Sequence, residues 1–224
     1  QPETAEFPGS VRVIQPKGHK GSLKWMQRAV ENRPDLIQPA ALGPIDWLSP
    51  RAEDEHAEYR DAAFLSLLGL DHLAEPLGRF WPKRGPQWDA LGRAGDSVVL
   101  VEAKAHIPEF FSSPTQSSGR SRTLIESSLN QCKQRLGVAE DRNWMLHFYQ
   151  YANRLAHLIW LRDQGVDAHL MLVGFLGDVD CSGPTSPEAW HAMYQTAEHV
   201  MGIPQRHAYR RYILHLTPDV ANLA

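Results

Sequence analysis

The stretch that most constrains this chain is Ser97 to Ala105, SVVLVEAKA, in which apolar residues fill both alternating faces before Glu102 and Lys104 arrive at its end. β-Branched side chains favour a pleated sheet, and a strand apolar on both faces belongs inside a sheet rather than at its edge. Just upstream, Trp88 to Gly92 reads as a second strand, with a turn over Arg93-Ala94-Gly95-Asp96 between the two. With the loop symmetric about Ala94-Gly95, Asp89 pairs with Leu100. Side chains 89, 100, 102 and 104 then share one face, because strands alternate with a period of two. Glu102 stands diagonally across from Asp89, roughly 7 Å away, with Lys104 next on the same face.

Charges at the end of a buried strand are costly unless they are paired or bound to a metal. Two carboxylates at this spacing suit an oxygen-loving divalent ion such as magnesium, and a neighbouring ammonium suits a polarised water or a phosphate oxygen. Asp89 followed by Glu102-Ala103-Lys104 at a strand end resembles the PD-(D/E)XK nuclease superfamily, the restriction-endonuclease-like fold. Trp88-Asp89 stands where the motif's name has Pro-Asp, and Pro86 lies three residues before Asp89. The resemblance runs from about Pro50 to Leu176. It implies an α/β protein with a central mixed β-sheet flanked by helices, and a metal-dependent nuclease that hydrolyses phosphodiester bonds, with DNA as the expected nucleic-acid partner. It implies Mg2+, with Mn2+ as a substitute, held by Asp89, Glu102, Glu58 and the Ala103 carbonyl. Lys104 would orient the attacking water.

With 224 residues, 42% of them hydrophobic, the chain can build one sizeable core. An N-terminal arm is expected over residues 1–49, and the nuclease-like domain over 50–224. Ser49 as cap and Pro50 at the first position open a helix to Leu68, stopped by Gly69. Ala62 and Leu65 follow Glu58 at i+4 and i+7, which places Glu58 on the inward stripe. The resemblance makes it the helix acid, with Glu55 as second choice. Leu77 to Trp81 alternate as a strand, giving a helix followed by three strands.

The irregular stretch from His106 to Ser121 is expected to be a flap over the site, ending in Arg120 and Arg122. His106, two residues past Lys104, lies on the site face. Helices are expected over 123–136 and 143–164, and Gln150 resembles the glutamine that the exonuclease branch carries on a helix after the lysine strand. His106, Arg120, Arg122 and Gln150 are thus the candidate nucleic-acid contacts. A buried strand over 167–177, a helix over 186–201 and a strand over 209–216 complete the chain.

A formal net charge of −3 and a pI near 6.4 give no global attraction to polyanions, so any nucleic-acid contact needs a local basic face. Cys132 and Cys181 have no metal-ligand spacing, and a reducing cytoplasm fits them. No segment reaches the ~20 apolar residues of a membrane span. There is no G-x-S-x-G elbow, phosphate-loop signature or H-E-x-x-H. The alternative to a nuclease is a module of the same fold that binds nucleic acid, or assembles, without catalysis. The oligomeric state is left open.

Overall fold

The computed structural model describes residues 10–223. In chain order the elements are β1 (Ser10–Val13), α1 (Gly21–Asn32), β2 (Asp46–Ser49), β3 (Glu58–Asp61), α2 (Ala62–Leu67), α3 (Ala74–Phe80), β4 (Ala90–Ala94), β5 (Ser97–Lys104), α4 (Gly119–Leu136), α5 (Tyr149–Asp163), β6 (Ala168–Gly174), α6 (Pro187–Met201) and β7 (Ile213–Leu216). A five-stranded sheet runs in the order β2-β4-β5-β6-β7, and β1 pairs with β3 in a separate ribbon. β2, β4 and β5 are antiparallel neighbours, whereas β6 and β7 run parallel to β5. The expected α/β architecture, a mixed sheet flanked by helices, is therefore present.

β5 lies in the middle because its apolar residues have something to meet on each side. Val98 and Leu100 join the core built with α2 to α6, while Val99, Val101 and Ala103 join Trp25, Met26, Ala29 and Val30 of α1. Each fully buried Val or Leu contributes ~1.5–3 kcal/mol. The even-numbered face, continued by Glu102 and Lys104, points toward α5.

Several expectations are corrected. The hairpin turns at Gly95-Asp96, not Ala94-Gly95: Ala94 pairs with Ser97 and Ala90 with Val101, and Gly95 supplies the positive φ of 61° that the turn requires. The shift of two preserves the faces within the ladder, which ends at Ala90–Val101; Asp89, just before β4, does not pair with Leu100, and its N–H bonds the Val101 carbonyl at 3.2 Å. The helix expected over 50–68 is broken. A 3-10 turn over Ala52–Asp54 ends at Glu55, Glu55 and His56 take positive φ, and Glu58–Asp61 pair with Val13–Ser10, so only Ala62–Leu67 is α-helical before Gly69. Pairing with β1 outweighs the Ser-Pro start signal there. Leu77 to Phe80 belong to helix α3 instead of a strand, with Trp81 as its extended C-cap, since Leu73, Leu77 and Phe80 all become buried at helical spacing.

The segment 1–49 does not form an arm in its described part: α1 covers one sheet face and β2 is the sheet's edge strand. α5 begins at Tyr149 rather than 143, after Phe148 with φ 52°. A 3-10 turn, Arg210–Tyr212, replaces the start of the last expected strand. Among the described residues no helix is long and apolar enough to cross a membrane.

Candidate active site

Strand alternation on β5, its hairpin with β4, and the ribbon strand β3 bring Asp89, Glu102, Lys104 and Glu58 into one region. Glu102 and Lys104, two residues apart on β5, are 4% and 7% exposed. Glu102 is held from both sides: Lys104 Nζ donates to Oε1 and Arg154 Nε to Oε2. Burial alone would raise its pKa, but Arg154 and then Lys104 outweigh it and hold the carboxyl below the usual carboxylate range. A buried carboxylate with two cationic donors is the paired state that makes its burial tolerable.

Asp89 lies one residue before the neighbouring strand β4, with a partly open surface. Its Oδ2 accepts the Ala103 N–H at 2.7 Å. Burial, followed by the charge of Glu102, pushes Asp89 up to about 8, against the pull of Lys104. The Ala103 carbonyl leaves the strand on the same side as this N–H, toward β4, as the two groups of one antiparallel residue do.

Glu58 reaches the cluster from β3, not from the expected helix. It is 6% exposed, and Oε2 accepts from Gln15 Nε2 at 3.0 Å and from Gln87 Nε2 at 2.5 Å. Burial raises its pKa, the two amides oppose this, and Glu102 adds to the rise. Three acids thus share one region, two of them raised and the third held charged by cations.

Two participants were not read from the sequence. Arg154 also donates to the Gln87 carbonyl (2.9 Å) and to Asn153 Oδ1 (2.8 Å), and its guanidinium lies 5.1 Å from the Trp88 ring centre. Gln87 thereby links Arg154 to Glu58. A usable signal existed: Arg154 interrupts the otherwise largely apolar run from Tyr151 to Leu161, every residue of which is buried. A charge inside such a run must have a partner.

The candidate nucleic-acid contacts divide. Gln150 lies one turn before Arg154 on the same face of α5, with its backbone N–H on Ser112 Oγ at 2.9 Å. His106 turns to Glu109, 3.4 Å away, outside the acid cluster. Arg120 and Arg122 are exposed in the first turn of α4. Part of the expected flap is ordered as the 3-10 turn Ile107–Phe110, which buries Phe110 and leaves Phe111 62% exposed.

The carboxylates and the Ala103 carbonyl are hard oxygen donors, the chemistry Mg2+ prefers. Among the described residues, however, no three His, Cys, Asp or Glu side chains are grouped to hold an ion. Both Glu102 oxygens are engaged by Lys104 and Arg154, so a divalent ion would have to take one from a cation. Comparison with family models, with curated proteins and with solved structures gave no match, so the site is read from its own geometry.

Proposed function

We propose that the chain is a magnesium-dependent nuclease with a restriction-endonuclease-like core, hydrolysing phosphodiester bonds in DNA. The observation that carries this reading is the burial of Glu102 and Lys104 on one face of the central strand, with the Asp89 carboxylate on the N–H of Ala103 between them. The β2-β4-β5 meander followed by parallel β6 and β7 supports the fold part of it.

In this reading Asp89, Glu102 and Glu58, with the Ala103 carbonyl, would hold the ion, which when bound lowers the pKa of a coordinated water and screens phosphate charge. Lys104 orients the water and stabilises the charge that develops on the phosphorus-bound oxygens. Arg154 keeps Glu102 ionised and, through the Gln87 carbonyl, holds it in place. Gln87 and Gln15 fix the Glu58 carboxylate.

The test is cleavage of labelled single-stranded and duplex DNA and RNA with Mg2+ or Mn2+, beside Glu102→Ala prepared identically. Metal-dependent cutting that disappears in the variant is expected. A second reading, a non-catalytic nucleic-acid-binding or assembly module, is favoured by the closed Lys104-Glu102-Arg154 arrangement. It predicts no saturable metal site by calorimetry, whereas the nuclease predicts one that Asp89→Asn removes.

A further inference from the structure

Beyond the acid cluster, a cavity of about 210 Å3 opens among Asp61, Leu77, Trp81, Pro82, Gly85 and His157. Asp61 lies three residues past Glu58, ~10 Å along an extended chain, so the cavity is a neighbour of the candidate site and not part of it. The volume falls below the ~300–1,000 Å3 of pockets that enclose drug-sized ligands. It suits a single flat ring system.

Its floor is a histidine with one nitrogen committed. His157 is 1% exposed, and Nδ1 meets the Asn153 carbonyl at 2.8 Å. A carbonyl only accepts, so Nδ1 carries the proton and Nε2 presents a lone pair. Burial holds the ring neutral by pushing its pKa down to about 3. A Cβ built on Gly85 would meet Asp61 Oδ1 at 3.3 Å, Trp81 Cδ1 at 3.3 Å and His157 Nε2 at 3.8 Å. The two acceptors and the indole therefore converge on the space that the glycine leaves free.

The carboxylate is placed deliberately. Asp61 accepts the Gly85 N–H at 2.9 Å and the Arg84 N–H at 3.2 Å, which orients it and leaves each oxygen a further lone pair. Asp61 and Arg84 both hold positive φ, 54° and 67°, a costly conformation for residues other than glycine. Lys83 and Arg84 stand exposed at the rim.

We propose that this cavity binds the base of an unpaired guanine nucleotide, whose N1–H and 2-amino group donate to Asp61 and His157 Nε2. The two polar side chains that converge on the space beside Gly85, Asp61 and His157, accept and do not donate, Lys83 is the cationic side chain of the lining, and the remaining walls are largely apolar, so the occupant is flat and presents adjacent donors to that pair. Guanine alone among the common bases does so on its pairing edge. Uracil and thymine set one donor between two carbonyls, and adenine and cytosine set an amino group beside a ring acceptor. Unpaired bases are recognised on this edge, beside aromatic side chains. The rim cations suit the sugar-phosphate. The inference rests on the proposed nuclease only in taking the base from a substrate strand.

The experiment is calorimetric titration of the full chain with GMP, AMP, CMP and UMP, on the wild type, Gly85→Ala, Asp61→Asn and Asp89→Asn. Expected is saturable GMP binding ~10-fold or more tighter than the others. It should weaken by a similar factor in Gly85→Ala and in Asp61→Asn, and be unchanged in Asp89→Asn. Gly85→Ala keeps both acceptors and fills only the space, so its loss, with an unchanged melting temperature, reads the cavity and not folding. Equal affinity for all four nucleotides, no GMP binding, or GMP binding indifferent to both cavity variants overturns the proposal. GMP binding by a chain that cuts nothing keeps the cavity and retires the nuclease; cutting without GMP binding retires the cavity alone.

Discussion

Arg154 on α5 donates to the same carboxylate that Lys104 holds from within β5, so Glu102 joins a helix to the central strand through a residue 52 positions away. All three side chains are nearly closed to solvent, and none of the charges has water to fall back on. Arg154→Met leaves Glu102 with one cation and frees the Gln87 carbonyl. Removing one partner of a buried pair costs ~3–5 kcal/mol. Urea unfolding in EDTA should show that loss. Added magnesium should recover part of it, because an ion that binds only the folded chain stabilises it.

Lys104→Ala should act differently. Arg154 still neutralises Glu102, so circular dichroism should stay native, although losing one partner of the buried group lowers the unfolding midpoint as it does in Arg154→Met. If Lys104 orients the water and meets developing charge, turnover falls by ~100-fold or more at saturating substrate. Wild-type turnover in the purified variant would refute the role.

These two residues mark what the sequence disclosed and what it did not. β5 and its acids were legible because a strand apolar on both faces leaves little freedom, and a period of two fixes which charges share a face. The register error of two residues at Gly95 therefore cost nothing in site composition. Glu58 was found for an incorrect reason: its stripe was helical in pattern, but β1 claimed it as a strand. Arg154 and Gln87 were missed because their roles arise from tertiary neighbours 52 and 29 residues from Glu102 and Glu58, which local periodicity does not encode. α3 was misread because five residues contain too little periodicity to separate strand from helix.

The aromatic cluster that buries His157 sets an acid limit on stability. Burial lowers His157 to about 3 from its ordinary 6.5. Between those values the unfolded chain binds a proton that the folded chain refuses, so stability is full above ~6.5 and falls as the pH drops toward about 3. His157→Phe, set among Phe64, Phe80, Trp81 and Trp88, removes this dependence. Unfolding free energies at pH 7 and pH 4.5 should differ less in the variant than in wild type. An equal difference would show that His157 does not titrate on unfolding.

Gly174 offers a test of the packing behind the site. It pairs with Lys104 across the β5-β6 ladder, and a Cβ there would meet the Trp190 ring at 2.6 Å. Trp190 is 2% exposed, and its Nε1 donates to the Phe175 carbonyl at 3.1 Å, so the indole has little room to retreat. Gly174→Ala must shift α6 or tilt the ring. Overpacking of this kind costs ~1–3 kcal/mol, and a broken buried N–H bond adds ~1–3 kcal/mol. The unfolding midpoint should fall with an unchanged denaturant slope. Adding Trp190→Leu should recover part of the loss, because the smaller side chain yields space to the new methyl; the coupling between contacting residues is read from the four-protein cycle. Strict additivity would mean that the indole does not press on Gly174.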